Sequence, residues 1–201
     1  MVTTDWLESQ KKTIRYQQAK PLERWVYRWL HQELEEEYGL DHMLYADEAG
    51  LSSTARYMWG WSERGKYCEM PRPGGHGEKR NWISAILASD HRWQMPWVVQ
   101  GTINREVVEQ WLTALGQSLP QEAETPKPYV LIWDNASFHL GGELLTIAQQ
   151  YRIRIVQLPA YSPDFNPIEQ CWATLKHYVR LALGKGSSLD DAIDAAFKIQ
   201  V

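Results

Sequence analysis

The sequence has few of the features that mark disulfide-linked, secreted or membrane-spanning proteins. Its 201 residues include only two cysteines, Cys68 and Cys171, which lie far apart and form no CxxC pair. Neither a disulfide framework nor a zinc site is therefore predicted. The sequence also lacks a run of about 18 apolar residues and the basic start and apolar stretch of a secretory signal. We expect a cytoplasmic protein without membrane association.

A surplus of basic residues, which normally accompanies binding to phosphates of nucleic acids, is also missing. The net charge is −4 and the isoelectric point is near 5.9. The charges are segregated, however. Acidic residues gather in one N-terminal segment (Glu33, Glu35, Glu36 and Glu37) and basic residues in one central stretch (Arg64, Lys66, Arg72, Lys79 and Arg80). The central stretch remains a candidate for contact with nucleic acid.

Tryptophan, in contrast, is abundant, with 11 copies. Aromatic rings can stack on nucleic-acid bases or on one another. We expect roughly two thirds of the tryptophans in core and hairpin positions.

The apolar periodicity predicts an alternation of helices and strands. An amphipathic helix over 21–38 presents Leu22, Trp25, Val26, Trp29, Leu30 and Leu34 as its packing face and ends at Gly39. The other predicted elements are a strand over 43–47, a meander over 57–100, a helix capped by Asn104, a strand over 129–134, a helix over 142–151, a strand over 153–158 and a helix over 167–183.

This order of elements is that of a ribonuclease H-like fold, an α/β fold in which helices flank a mixed five-stranded sheet. We assign residues 41–201 to this domain and residues 1–40 to an N-terminal helical segment or linker. Residues 71–81, PRPGGHGEKRN, are predicted to form a basic loop within the meander because they are rich in turn-forming residues.

Three acidic residues stand where an α/β sheet presents ligand-binding groups. Asp47 and Asp134 end predicted strands, and Glu169 begins a helix after a proline-bounded loop. Carboxylates without a counter-charge would repel one another, so the arrangement favours hard divalent cations such as Mg²⁺. Two such ions can promote in-line displacement at a phosphodiester. Taken singly, Asp134 is also typical of a turn and Glu169 of a first helical turn.

Two longer strings contain these acids, DNASFH at 134–139 and LPAYSPDFNPIEQCW at 158–172. They resemble DDE transposases of the mariner-like superfamily, in its bacterial insertion-sequence branch. In that family the second acid opens a DNA-x-x-H string and the third closes a YSPDLNPIE string. The interval between Asp134 and Glu169 is 34 residues (169 − 134 − 1), which is characteristic of the family. The match covers roughly residues 43–183 and departs from the usual pattern at Ala160 and Phe165.

The resemblance implies that Asp47, in YADEAG, is the first catalytic acid and that Glu48 is its usual acidic neighbour. It implies two Mg²⁺ ions, replaceable by Mn²⁺, held by Asp47, Asp134 and Glu169. It further implies cut-and-paste movement of DNA near the bacterial nucleoid, recognition of terminal inverted repeats, TA-containing targets and a homodimer that synapses two ends. Residues 1–40 have room for only one or two helices, fewer than the family's helix-turn-helix modules. The resemblance therefore implies a catalytic half that is either truncated or encoded apart from its DNA-reading half, and a separately encoded helix-turn-helix polypeptide is a further possible partner.

Several other residues are candidates for supporting roles. His139 matches the family's histidine, and Asn135 and Asn166 flank two acids, although all three also suit structural turns and caps. Contact with DNA is predicted for two sets, Lys176 and Arg180 on the face of Glu169, and Arg72, His76, Lys79 and Arg80 in the basic loop. A solvated helix face and a solvated loop are the alternatives. Asp90 is expected in a hairpin turn, and Asp164 as a cap of backbone amides.

Two other functions fit parts of the pattern. A stand-alone ribonuclease H-like nuclease or resolvase would cleave DNA without strand transfer. An inactive remnant of an insertion element would retain only DNA binding or dimerisation, but the presence of all three acids argues against it.

Overall fold

A computed structural model of the chain describes residues 16–55, 62–67, 69, 77–120, 127–135 and 141–199. In chain order, these ranges contain α1 Pro21–Tyr38, β1 Met43–Ser52, β2 Lys79–Leu87, β3 Trp93–Val99, α2 Arg105–Ser118, β4 Tyr129–Trp133, α3 Leu144–Gln150, β5 Ile153–Gln157, α4 Ile168–Gly184 and α5 Leu189–Phe197. None of the described helices is both long and apolar enough to cross a membrane.

The five strands form one mixed sheet in the order β3-β2-β1-β4-β5. The first three strands pair antiparallel as a meander, while β1 pairs parallel with β4 and β4 pairs parallel with β5. This is the mixed five-stranded sheet that the element order predicts. β1 therefore lies at the centre, with the antiparallel strands on one side and the parallel strands on the other.

Each face of the sheet carries its own core. Met43 and Tyr45 of β1 point to the face covered by α1, α4 and α5, and Leu44 and Ala46 point to the face covered by α2 and α3. This alternation follows from the two-residue period of a strand. Six of the eight described tryptophans lie in or against these cores, in line with the sequence prediction: Trp82, Trp93, Trp97, Trp111, Trp133 and Trp172.

Several predicted boundaries were wrong. β1 continues to Ser52 because its antiparallel pairing with β2 runs to Ser52 opposite Lys79. That same pairing places residues 79–81 in β2, whereas the sequence predicted them in the basic loop. Lys66, Tyr67 and Glu69 of the predicted strand piece KYCEM are not in a strand, and residues 56–61 and 71–76 lie outside the described part of the chain.

The predicted packing face of α1 was wrong in four of its six residues. Leu22, Trp25, Val26 and Trp29 are exposed, at 72%, 65%, 46% and 57% respectively. Of the predicted face, Leu34 is buried and Leu30 packs against the core. The helix also buries Arg24, Tyr27 and Tyr38, residues with polar tips that the hydrophobic pattern did not count. Tyr27 and Leu34 belong to the same core as α4, so α1 packs on the predicted catalytic domain.

A helix that the sequence analysis missed, α5, follows α4. Ser188 caps it, since the Ser188 hydroxyl oxygen accepts a hydrogen bond from the Asp191 N–H at 3.2 Å. Ser188 with Asp190 and Asp191 in the first turn is a recognisable start signal. Leu189, Ala192 and Ile193 of α5 complete the core beside α4.

Candidate active site

Strand register brings the first two predicted acids together. The last parallel pair between β1 and β4 joins Tyr45 to Ile132. Asp47 and Asp134 each follow two residues further along, so the register places them next to each other at the end of this pairing. Side chains two residues apart on a strand point to the same face. Asp47 and Asp134 therefore lie on the same face as Tyr45 and Ile132, whose side chains lie in the core under α4. Both acids thus belong to the α4 face of the sheet.

The third acid, Glu169, reaches this face from the first turn of α4. The preceding loop is tied to β1 by Asn166, whose side chain is 5% exposed. The Asn166 amide Nδ2 donates to the carbonyl oxygen of Ala46 at 3.2 Å, directly before Asp47. Arg24 of α1 holds the loop from the other side, donating two hydrogen bonds to the Asp164 carboxylate at 2.9 and 2.7 Å. The start of α4 is thereby fixed against the centre of the sheet.

All three acids line one cleft of about 550 Å³. The other lining residues come from the loop 158–166, from Asn135 after β4 and from Tyr16 before α1: Tyr16, Asn135, Leu158, Pro159, Ala160, Tyr161, Ser162, Pro163 and Asn166. Tyr16 and Tyr161 form a tilted aromatic pair at this cleft, with ring centroids 6.2 Å apart. A cleft that combines acids with an aromatic rim can hold cations at its carboxylates and stack nucleic-acid bases on its rings.

Asp47 differs from its two partners in its surroundings. It is half-buried, and the indole Nε1 of Trp172 donates to its Oδ2 at 3.1 Å. The pKa of the Asp47 carboxyl is raised to about 8, chiefly by burial. The negative charges of Glu169, Glu48 and Asp134 contribute to the same rise. Asp134 and Glu169 are exposed.

The residues at this cleft fit a divalent cation in their chemistry. Carboxylate and amide oxygens are the ligands that Mg²⁺ prefers. The Oδ1 atom of Asn166 is buried and has no hydrogen-bond partner, and a bound cation would offset the repulsion that raises the pKa of Asp47. Within the described ranges, no three acidic, histidine or cysteine side chains already converge on one point. The three acids thus share a cleft without being drawn together.

The predicted supporting residues have different positions. Asn135 lines the cleft, and Asn166 bridges the loop to β1. Glu48 follows Asp47 in β1 and, by strand alternation, points to the opposite face of the sheet. His139 lies outside the described residues, so its role remains a prediction.

The predicted DNA-binding residues that the structure describes lie on two elements, β2 and α4. Arg80 is 8% exposed and its guanidinium binds Asp190 of α5 at 2.8 and 2.9 Å, which joins β2 to α5. Lys79 is exposed in the same strand. Lys176 and Arg180 are half-buried along α4 on the side that Glu169 begins, while the remaining residues, Arg72 and His76, lie outside the described residues.

Sequence reasoning missed two features of the cleft. Trp172 was assigned to the core face of α4, which is correct, but its hydrogen bond to Asp47 depends on how α4 packs against β1. Tyr161 appeared in the sequence analysis only within the string at 158–172 and was given no role of its own. Its backbone φ of 57° lies in a region that residues other than glycine rarely adopt, and this conformation accompanies a side chain that is 57% exposed at the cleft.

The fold, with three acids at one cleft, is the arrangement expected of the DDE class of nucleases. Residues 42–189 match the model of the DDE superfamily endonucleases, and the chain belongs to this family. No curated protein matches the chain in sequence.

Solved structures similar to this one include transposase structures. The Mos1 mariner paired-end complex with Mn has a TM-score of 0.73 and 16% identity, over 97% of this chain and 60% of that one. The catalytic domain of Mos1 mariner transposase has a TM-score of 0.64 and 14% identity, over 98% of this chain and 87% of that one. The pre-cleavage Mos1 transpososome matches over 94% of this chain. These likenesses confirm the ribonuclease H-like fold. The chain spans 60% of the length of the chain in that transpososome.

Proposed function

We propose that this chain is the catalytic domain of a transposase that cuts DNA at the ends of a mobile element and joins the ends to a target. The observation that carries the proposal is that Asp47, Asp134 and Glu169 line one cleft in a member of the DDE endonuclease family. Similar structures are described as Mos1 complexes with paired ends and with Mn or Mg, which supports the same chemistry here.

In this proposal Asp47, Asp134 and Glu169 hold two Mg²⁺ ions, which Mn²⁺ can replace. When bound, such ions activate a water or a 3′-hydroxyl on one side of the phosphorus and stabilise the leaving oxygen on the other. Trp172 fixes one oxygen of Asp47. Asn166 fixes the backbone directly before it, so that one ligand is oriented in advance of binding.

The DNA path in this proposal starts at the cleft. Tyr161 offers an exposed ring on which a base can stack. Lys176 and Arg180 follow Glu169 by 7 and 11 residues, which at 1.5 Å per residue extends a cationic stripe about 10 to 16 Å along α4. Lys79, Arg72 and His76 remain candidate DNA contacts from the sequence. Arg80 is the least suited of the set, since Asp190 already binds it. Asn135 and His139, close to Asp134 in the sequence, remain candidates for supporting the metal site.

The finer identity belongs to the same proposal. The strings at 134–139 and 158–172 favour the bacterial insertion-sequence branch, with TA-containing targets, terminal inverted repeats and a homodimer that synapses two ends at the nucleoid in the cytoplasm. The Mos1 paired-end structures support DNA and a dimer as partners. A separately encoded helix-turn-helix polypeptide is a further proposed partner.

The test is a cleavage and joining assay with labelled DNA that carries the element's own ends. We expect cleavage with Mg²⁺ or Mn²⁺, none in EDTA and none with Asp134→Asn. Joining of the cleaved ends to TA sites would establish a transposase. Cleavage without joining, on DNA lacking the repeats, would instead establish a stand-alone nuclease. Binding of DNA without cleavage, with the helix-turn-helix polypeptide present, would indicate an inactive remnant.

A further inference from the structure

The short turn before the third acid, at residues 163–165, is held by the first turns of α1. The Arg24 guanidinium donates to both oxygens of the Asp164 carboxylate, at 2.9 and 2.7 Å. The same guanidinium carbon lies 4.1 Å from the centroid of the Phe165 ring. The Tyr27 ring stacks on Phe165 from the same helix, with centroids 5.2 Å apart. α1 therefore contacts two consecutive residues of this turn.

These contacts attach the first turns of α1 to the domain. Of residues 21–28, only Arg24 and Tyr27 are buried, and both contact Phe165. The Arg24 side chain is 10% exposed, and an arginine is rarely buried unless its charge is paired. The ion pair with Asp164 supplies that partner, so the burial of Arg24 depends on this turn.

The turn is connected to Glu169 through Asn166. The Glu169 backbone N–H donates to the Asn166 carbonyl oxygen at 3.2 Å, and the Asn166 side chain donates to Ala46, directly before Asp47. The Asn166 backbone N–H in turn donates to the Pro163 carbonyl oxygen at 2.9 Å. A displacement of the turn would therefore also displace Asn166 and the start of α4.

Phe165 is also a position at which the chain departs from the motif that it resembles. The usual string, YSPDLNPIE, has a leucine there, and a leucine has no aromatic face. A guanidinium over an aromatic face is attracted by the quadrupole of the ring. The contact between Arg24 and Phe165 is thus a property of this chain and does not follow from the family's string.

We propose that Arg24 is a positioning residue that orients Glu169 in the acid cleft, acting through Asp164 and Phe165. This inference rests on the proposed function, in which Glu169 is a metal ligand, and it adds α1 to the elements that build the site. Glu169 is exposed, and ordering an exposed glutamate around a metal ion costs side-chain entropy. A fixed backbone at the start of α4 lowers that cost, because fewer bonds remain to be ordered.

The first test is binding of Mn²⁺ to the full chain without DNA, followed by the electron paramagnetic resonance signal of free Mn²⁺. Arg24→Gln should weaken binding by roughly tenfold, within the range found for residues that orient a metal ligand. Electrostatics alone predicts the opposite sign, because loss of a positive charge near the acids favours a bound cation. Equal or tighter binding in Arg24→Gln would therefore overturn the proposal.

Asp190→Asn is the control for a general loss of stability. Asp190 accepts two hydrogen bonds from Arg80, which is 8% exposed, as Arg24 is, and Asp190 does not line the acid cleft. Its replacement breaks a comparable ion pair and should leave the Mn²⁺ affinity unchanged. Equal losses of affinity in Asp190→Asn and Arg24→Gln would indicate a structural role only and contradict the proposal.

Two milder variants keep the proposal testable if Arg24→Gln does not fold, which thermal unfolding in EDTA will detect. Arg24→Lys keeps a positive charge beside Asp164 but lacks the planar fork of the guanidinium, so its Mn²⁺ affinity should lie between those of the unaltered chain and Arg24→Gln. Phe165→Leu removes the ring under Arg24 and keeps an apolar side chain, and it should also weaken binding. Unchanged affinity in both would overturn the proposal.

A double-variant cycle identifies the ligand through which Arg24 acts. In a Glu169→Gln background, Arg24→Gln should change the Mn²⁺ affinity by less than about twofold, because the carboxylate that it orients is gone. In an Asp134→Asn background the roughly tenfold effect should persist. The reverse pattern would contradict the assignment to Glu169 and leave the proposed function standing. Mn²⁺ binding that neither Glu169→Gln nor Asp134→Asn weakens would instead overturn the proposed function, and this inference with it.

Discussion

The two halves of the candidate site are built differently. Asp47 sits within the central strand, half-buried and hydrogen-bonded to Trp172 of the opposing helix. Asp134 and Glu169 are both exposed. Asp134 directly follows the last residue of β4, and Glu169 is the second residue of α4. A buried ligand is oriented before a metal binds, but its charge is destabilising. Exposed ligands cost little in the free protein and can move to complete the site.

The largest expected effect tests whether both halves are needed. Asp47→Asn and Asp134→Asn should each lower metal-dependent cleavage by on the order of a thousandfold or more, because each removes a charged ligand whose Lewis-acid partner contributes several kcal/mol to the transition state. Single-turnover cleavage of labelled DNA measures this loss. Full activity in either variant would remove that acid from the proposed triad, while thermal unfolding of each variant verifies that the fold is retained.

The next prediction distinguishes Asp47 from Asp134 by the pH dependence of stability. The pKa of Asp47 is about 8 in the folded protein and about 4 in an unfolded chain. Between these values the folded protein keeps a proton that the unfolded chain has released, so stability falls as pH rises from about 4 to about 8. Asp47→Asn should remove this part of the pH dependence of urea unfolding in EDTA. Asp134→Asn should leave most of this pH dependence in place. If the free energy of unfolding changed equally with pH in both variants, the difference proposed between Asp47 and Asp134 would be contradicted.

A smaller effect is expected from the residue that orients Asp47. Trp172→Phe removes the indole N–H that donates to Asp47, and loss of such an orienting bond typically costs about 10–100-fold in metal affinity or activity. The Mg²⁺ concentration needed for half-maximal cleavage should rise. Trp111→Phe is the matched control, since it removes an equally buried indole bond, to the Met95 carbonyl, on the other face of the sheet. Similar losses in both variants would indicate a general packing defect.

The smallest effect concerns the rim of the cleft. Tyr161→Ala removes an exposed ring and should weaken binding of single-stranded DNA by roughly tenfold, the amount expected for one base stacked on an aromatic side chain. Tyr161→Phe keeps the ring and should bind almost as the unaltered chain. Fluorescence anisotropy in Ca²⁺ measures binding, and unchanged affinity in Tyr161→Ala would exclude the stacking role.

Much of this molecule is predictable from local patterns. The uninterrupted apolar run 129–133 gives β4, the side chain of Asn104 caps α2 at the Val107 N–H, and the proline-bounded string before Glu169 marks the start of α4. The three acids stand out because they lie in long strings that resemble one family. Asp90 also lies where the sequence predicts it, accepting from the Arg92 N–H in a turn.

Other features depend on partners distant in sequence. β1 is longer than its apolar run because β2 pairs with it to Ser52. The end of the basic loop becomes a strand for the same reason, and Arg80 is buried because α5 brings Asp190 to it. On α1, the apolar pattern is right for Leu30 and Leu34 but wrong for the four residues before them. Arg24 is buried because it finds Asp164 across the molecule.

The sequence by itself determined the order of the elements up to α4, the mixed sheet and the choice of three acids that share one cleft, because strand and helix periodicity and the motif strings are local properties of the chain. Only the tertiary structure decided that Asp47 is the buried member of the three, that Trp172 orients it and that α1 turns Trp25 and Trp29 to solvent. These outcomes depend on burial and on hydrogen bonds between residues more than a hundred positions apart, which no local pattern contains.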